Sequence, residues 1–491
     1  MQNNQGISVT GGTRAKGGNS SFFGAIDRWT VLIYLMLIIS GWLNIYSAVY
    51  NEAHHSIFDV SQRYGMQLIW MGISVVIGLI ILLIDSKFYH IYAYPLYWVM
   101  IVVLLAVAVL GKEVNGARAW ISIGPIALQP TELAKFTTSL ALARYMSNFR
   151  FSFNRFSSLW RVLGIVGLPM AIIIFQNDTG SALVYCSFLF MFYREGLWSW
   201  IYWLLAFVIM LFVSSFLLNE VTLVILLVVI CVVGEALQSR QWRSRIGYLA
   251  AVTLMSLAIY VGFNLLSGSH LSYYYSILIS LGLSLVVVGL YAFRQRIRSI
   301  FYFIALFMGM LLFTSIIDYG FDNILKTHQQ KRILNLLGIE SDLSGWGYNV
   351  NQSKITIGSG GLFGKGYLSG TQTKYDFVPE QSTDFIFCTI GEEWGLVGSI
   401  FIVGLFILLI LRLMKMGERQ REPFGRIYCY SVASIFLAHL LINIGMTIGL
   451  MPVVGIPLPF FSYGGSSLIA FTILLFVAVK LDAGKKESLI I

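Results

Sequence analysis

Charge is what this 491-residue chain has least of: 11% of its residues are Asp, Glu, Lys or Arg, where soluble domains carry about 25%. With 57% of residues hydrophobic, a water-soluble globule is excluded. Cysteine is scarce as well. Cys186, Cys231, Cys388 and Cys429 all fall inside apolar stretches without paired or metal-ligand spacing, which excludes a disulfide framework and a zinc site. The first 28 residues lack both an apolar h-region and a small-residue cleavage site. They read as a disordered cytoplasmic tail rather than a signal peptide.

What is present is length of apolar chain. Runs of about 17 to 25 residues, the length a helix needs to cross the hydrocarbon core, recur almost throughout. They predict an all-α polytopic membrane protein of fourteen spans, near 29–50, 65–84, 91–110, 130–147, 160–175, 180–193, 199–218, 221–237, 246–266, 273–293, 299–318, 384–411, 427–450 and 464–481. With the N-terminus inside, 23 of the 33 basic residues fall in cytoplasmic segments, including the clusters Arg240/Arg243/Arg245, Arg294/Arg296/Arg298 and Arg412/Lys415/Arg419/Arg421. That is the positive-inside distribution. Both termini are therefore expected in the cytoplasm, and the net charge of +10 needs no nucleic acid to explain it.

Under this topology two external segments exceed a turn, 111–129 and 319–383. The second is too polar for lipid, and loops longer than about 15 residues are as a rule functional or disordered. A third external segment, around 451–463, is dense in Pro and Gly, a backbone tolerated at membrane depth only under cover of protein or beside a water-filled cavity.

Asp384 opens an apolar run where the long loop meets the membrane. Burial there would lift its pKa toward working pH, as a general base requires. An acidic helix cap is the commoner use of such a position. The segment 357–366 holds five glycines in ten residues, among them Gly360 and Gly361, beside Lys365. Glycine lets backbone N–H groups approach an anion, although a chain of tight turns explains the segment equally well. It lacks the Walker pattern, so nucleotide binding is not expected. Glu132 and Lys135 stand at i, i+3 on one helix face, as a functional pair or a charge-neutral helix start. Trp120 is an interface anchor or a sugar platform. Gln176-Asn177-Asp178 makes a turn that Asx chemistry alone accounts for. Pro457 to Ser467 breaks any helix, and Ser462, Gly464 and Gly465 could face a polar cavity.

Read in order, these fragments resemble the SEDS family (shape, elongation, division and sporulation). The likeness runs as NGARAWISIG with QPTELAKF over 115–136, QNDTGSALV over 176–184 and HQQKRI over 328–333. It continues with GYNVNQSKITIGSGGLFGKG, VPEQSTDFIF and GEEWGLVGS through 399, and closes with NIGMTIGLMPVVGIPLPFFSYGGSS over 443–467. It spans about 30 to 481 and is specific because it is ordered. IGSGG, GKG and GTQ ahead of the TDFIF signature are closer in phrasing to the elongation branch, RodA, than to the division branch, FtsW.

The resemblance implies a ten-helix core, with five spans between 199 and 318 where the family has one. The chain then divides into a tail (1–28), the N-terminal part of the core (29–198), a stretch holding about four inserted helices (199–318), a large external loop (319–383), the C-terminal part of the core (384–481) and a tail (482–491). It also implies a peptidoglycan glycosyltransferase that polymerises lipid II on the outer face of the cytoplasmic membrane, with Asp384 as base, so that the cap reading gives way. Candidates for the lipid diphosphate are Arg118, Lys135, Arg332, Lys354, Lys365 and the loop glycines, or a divalent cation, Mg or Mn. Glu132, Trp120, Glu380, Ser462, Gly464 and Gly465 complete the expected substrate site. The implied partner is a class B penicillin-binding protein, with lipid II itself and membrane lipid. A lipid II flippase and a scaffold that only recruits that partner are the competing readings. No internal inverted repeat supports the flippase.

Overall fold

The computed structural model describes residues 26–50, 56–114, 116–123, 126–239, 242–266, 273–323, 325, 327–337, 339, 347–375 and 377–484. Most of both expected tails, 1–28 and 482–491, lies outside these residues. The chain forms two compact units, residues 1–196, 352–448 and 454–491 in one, 197–351 and 449–453 in the other.

The first unit begins with α1 (Arg28–Ala48), α2 (Arg63–Leu83) and α3 (Ser86–Leu110). Asp27 caps α1 by accepting from Trp29 N and Thr30 N, and Asp85 caps α3 through Lys87 N. Strands β1 (Lys112–Val114), β2 (Ala117–Ile123) and β3 (Ile126–Leu128) then form an antiparallel meander. Its anchor is Arg118 N, which donates to the Gln176 carbonyl at 2.9 Å. Next come α4 (Pro130–Met146), α5 (Phe156–Phe175), α6 (Thr179–Tyr185) and α7 (Phe188–Arg194). The chain returns to this unit after the second, with α16, α17 and α18 below.

The second unit holds α8 (Ser199–Leu217), α9 (Glu220–Ser239), α10 (Trp242–Leu266), α11 (Tyr273–Gln295), α12 (Arg298–Asn323) and α13 (Thr327–Leu336). Leu227, Cys231, Leu281 and Phe307 are at its core. The boundary falls within α14 (Tyr348–Ser359), which precedes the one-turn α15 (Thr371–Lys374). The long helices α16 (Ile386–Glu418), α17 (Pro423–Thr447) and α18 (Gly465–Gly484) close the first unit, and α17 and α18 are its most enclosed spans.

Eleven described helices are long and apolar enough to cross a bilayer. Three expected spans differ in form. The stretch 130–147 is α4, packed against α3, α5, α17 and α18. It buries Thr131, Glu132, Lys135, Thr137, Thr138 and Ser139, so it is shielded by protein rather than by its own apolarity. The stretch 180–193 breaks at Cys186-Ser187 into α6 and α7. The stretch 246–266 lies in α10, whose apolar part is shorter, Ala250–Val261.

Helix α16 is interrupted at Gly395, where φ is +64° and ψ −158°. The glycine segment fills the gap. Lys365 N and Gly366 N donate to the Glu392 and Glu393 carbonyls at 2.9 and 3.0 Å, and Leu396 N and Val397 N donate to the Gly361 and Leu362 carbonyls at 3.0 and 3.1 Å. The break thus leaves these backbone groups paired, as an apolar surrounding demands. A Cβ on Gly360 would lie 1.9 Å from the Gly391 carbonyl oxygen, whereas one on Gly358, in α14, would meet nothing within 4 Å. Gly360→Ala is expected to destabilise the protein by ~1–3 kcal/mol, and Gly358→Ala to leave it unchanged or stabilise it by up to about 1 kcal/mol. Thermal melts of the two variants in detergent check this contrast.

Candidate functional site

Asp384 lies in the turn 381–385 that leads into α16. The turn is pinned by Thr383 N and Phe385 N, which donate to the Glu380 carbonyl at 3.2 and 3.3 Å. From α17, Asn443 Nδ2 donates to the Asp384 carbonyl at 2.9 Å. The side chain is partly exposed, and its Oδ2 faces Gly455, where a Cβ would stand 3.2 Å away. It is not the cap of α16: that position is Phe385, and no side chain bonds the first turn. Among the described residues the Asp384 carboxylate has no hydrogen-bond or ion-pair partner. Enclosure by the surrounding chain, and after it the Glu380 carboxylate, pushes its pKa up to about 7. A carboxyl in that state can take a proton at neutral pH.

Around it stands a polar rim. Glu380, held at φ +54°, accepts from Thr383 Oγ1 at 3.0 Å and lies 3.7 Å from Arg63 Nη1. Arg63 also donates to Ser382 Oγ at 2.6 Å and sits over the Tyr463 ring. Its pair with Glu380 is half exposed on both sides, and such pairs contribute little, so the guanidinium remains open to a ligand. Ser462 is buried and accepts from Leu458 N at 2.8 Å. Gly464 N donates to Gln67 Oε1 at 3.4 Å, and a Cβ on Gly465 would stand 2.2 Å from Trp70. These three residues shape the wall of the turn. Tyr463 N, between them, donates to the Ser382 carbonyl at 2.9 Å and joins that wall to the Asp384 turn.

Beneath the turns is a buried ionic cluster. Lys135 Nζ lies 2.8 Å from the Glu132 carboxylate and 2.8 Å from His439 Nε2, and the side chains of Lys135 and Glu132 are 0% and 2% exposed. His439 Nδ1 is 3.0 Å from the Pro457 carbonyl. That carbonyl can only accept, so the Nδ1 atom carries the proton, and the Nε2 lone pair accepts a hydrogen bond from the lysine N–H. Asn443, a helical turn on, donates to the Ile456 carbonyl at 2.7 Å as well as to that of Asp384. Helix α4, helix α17 and the two turns are thus one connected polar frame.

A second frame surrounds the helix break. The buried Glu392 carboxylate accepts from Lys365 Nζ at 2.7 Å and from the backbone N–H groups of Thr371, Gln372 and Thr373 at 2.8, 2.9 and 3.0 Å. Glu393 accepts from Ser47 Oγ on α1. Lys365 is therefore engaged with Glu392, and Gly360 and Gly361 are packed on α16. Arg118 is exposed on β2 beside Glu113 at 3.3 Å, and Trp120, half-buried, pairs across β1 with Lys112. Lys354 is exposed on α14 without a hydrogen-bond or ion-pair partner among the described residues. The Arg332 side chain lies outside the described residues. Asp178 caps α6 through Ser181 N at 3.0 Å and accepts from Gln129 Nε2 at 3.0 Å, as Asx chemistry anticipates.

Sequence reasoning missed Arg63, His439, Asn443, Glu392 and Glu393. A signal existed for two of them: a His and an Asn four residues apart share one face of an apolar span, where polar side chains are costly unless used.

A sequence profile described as cell cycle protein (FtsW, RodA, SpoVE) matches residues 28–226 and 224–487. The chain belongs to this family. It is 32% identical over 453 residues to the peptidoglycan glycosyltransferase RodA of Treponema pallidum, covering 90% of this chain and 94% of that one. With the peptidoglycan glycosyltransferase MrdB of Escherichia coli it shares 29% identity, over 90% of both chains. A chain of a solved peptidoglycan synthase complex that coordinates polymerization and crosslinking superposes with a TM-score of 0.59 at 23% identity, covering 94% of this chain and 98% of that one. The rod shape determining protein RodA of Thermus thermophilus superposes at 0.51 and 22%, with the same coverage. This SEDS member, RodA-like, is a multi-pass all-α membrane protein.

Removing one partner of a buried ion pair leaves an uncompensated charge. Lys135→Met is expected to cost ~3–5 kcal/mol, read as a lower melting temperature in detergent. The double variant Glu132→Gln/Lys135→Met, with no buried charge, should recover most of that loss. Equal losses in the single and double variants would contradict the pairing.

Proposed function

We propose that this chain is a peptidoglycan glycosyltransferase that polymerises lipid II into β-1,4 glycan strands for cell elongation and shape. The observation that carries the reading is the unpartnered Asp384 carboxylate at the mouth of α16, in a turn that the Arg63 guanidinium contacts through Ser382 and Glu380, in a chain whose relatives bear that activity in their names.

The chemistry requires one base and one patch of positive charge. The acceptor GlcNAc O4 attacks the anomeric carbon of the donor MurNAc as Asp384 takes the O4 proton. The bond from that carbon to the diphosphate oxygen breaks, its electron pair leaves with undecaprenyl diphosphate, and α configuration inverts to β. The proton then passes from Asp384 to water. Charge developing on the diphosphate is met by preorganised cations. Lys135 and Lys365 hold carboxylates of the frame, so of the expected candidates described in the first unit Lys354 and Arg118 remain for this task, and the fold adds Arg63. Among the described residues no three His, Cys, Asp or Glu side chains cluster as a cation cage; a divalent cation carried by the diphosphate itself would add to the same positive charge.

The class B penicillin-binding protein is the partner this reading assigns as transpeptidase. The reaction is placed on the outer side of the cytoplasmic membrane. Support comes from the basic clusters Arg294/Arg296/Arg298 and Arg412/Lys415/Arg419, which positive-inside logic puts in the cytoplasm with both termini.

Asp384→Asn keeps the shape and removes the base. Purified variant given labelled lipid II is expected to form glycan chains at least ~100-fold more slowly than wild type. A carboxyl raised from 3.8 to about 7 binds its proton more tightly in the folded chain. The fold therefore loses stability as pH rises across that interval, and the loss persists above it. Asn at this position should melt at the same temperature as wild type at about pH 4 and at the same or a higher temperature at about pH 8. Normal polymerisation by a well-folded Asp384→Asn protein would remove the assignment.

A further inference from the structure

We infer that His439 and Asn443, one turn apart on α17, are positioning residues that hold the Asp384 carboxylate against the 455–457 turn; the inference rests on the reading of Asp384 as base. The Asn443 amide spans both walls of the niche, donating to the Asp384 carbonyl at 2.9 Å on one side and to the Ile456 carbonyl at 2.7 Å on the other. Gly455, which faces Asp384 Oδ2, lies just ahead of Ile456 and Pro457. His439 holds the Pro457 carbonyl at 3.0 Å and is itself fixed by Lys135 Nζ at 2.8 Å. Two side chains of one rigid helix therefore define where both edges of the niche stand.

Packing alone does not account for them. His439 and Asn443 are fully buried, and Asn443 Oδ1 has no hydrogen-bond partner. A buried polar atom without a partner costs free energy, which an apolar side chain of similar size would avoid. The cost goes with a fixed position for two carbonyls. The charged group that acts on the Asp384 carboxylate is Glu380 of its own turn, which Arg63 of α2 faces at 3.7 Å from beside the Tyr463 ring. The charged groups facing His439 are Lys135 and, through it, Glu132. None of these contacts is removed directly by changing Asn443, so its substitution reads out the niche alone.

In Asn443→Ala the two carbonyls are released, the 455–457 turn moves off, and the partly exposed carboxylate becomes more open to water. Misplacement by about 1 Å can cost ~100-fold in rate. With lipid II as substrate, kcat is expected to fall about 10- to 100-fold while KM stays within about twofold. Water favours the ionised carboxyl over the enclosed one, so the acidic limb of the kcat–pH profile should move to lower pH. A folded Asn443→Ala protein with wild-type kcat, or with a lower kcat and an unmoved limb, overturns the inference. Asp384→Asn run in parallel separates the two claims. If that variant polymerises, the base reading has failed; if it is inactive and Asn443→Ala behaves as wild type, only the positioning inference has failed. Should Asn443→Ala not fold, His439→Asn and His439→Gln decide in the same assay. Asn keeps a donor near the Pro457 carbonyl and should keep the wild-type limb, whereas Gln keeps an acceptor for Lys135 but not that donor, and should shift it. Identical profiles for the two overturn the inference.

Discussion

The bond on which the membrane core depends is the buried contact of Lys135 with Glu132 and His439. Bringing an ammonium and a carboxylate out of water costs several kcal/mol per ion. In a chain with so little charge, that cost persists only where the pair fixes something. Here it fixes α4 to α17, and α17 to the two turns that flank Asp384. The polar helix α4 can stand amid apolar spans because its neighbours, rather than lipid, receive its side chains.

The same logic separates three carboxylates near the site. Glu132 and Glu392 are enclosed and compensated, one by a lysine and the other by Lys365 and three backbone amides. Both are frame. Asp384 is held through its backbone, which positions the residue and leaves its carboxylate without a counter-ion among the described residues. A reactive base in a low-dielectric setting needs that division of labour: position supplied by groups that leave the lone pairs free.

Much of the span pattern was legible because crossing a bilayer imposes a length and a composition that local sequence must show. The exceptions are physical. α4 reads as an ordinary span until its buried Glu132, Lys135 and Thr131 are seen to face other helices. The break at Cys186-Ser187 and the kink at Gly395 carry no proline, and the kink is stabilised by N–H groups of Lys365 and Gly366 and carbonyls of Gly361 and Leu362, far away in sequence. The strands of the meander between 112 and 128 are too short for alternation to register. Asp384 alone read as a cap, a role the fold does not give it; only the ordered set of motifs raised it to a base. The glycine-rich segment looked able to cradle an anion, yet its amides at Lys365 and Gly366 are spent on the helix break. The spacing of His439 and Asn443 marked one polar face in an apolar span, but their partners sit in other elements, and nothing local announces a bond from Lys135 to a residue some 300 positions on.

The central claim is that Asp384 works as a base whose proton affinity the frame has raised. Its most direct test is the rate of glycan strand formation by the purified wild-type protein from labelled lipid II, followed from about pH 5 to about pH 9. With Asp384 at about 7, the rate should climb roughly tenfold per pH unit on the acidic side and level off above that value. A rate that is flat across the interval, or that falls as pH rises through 7, would contradict it.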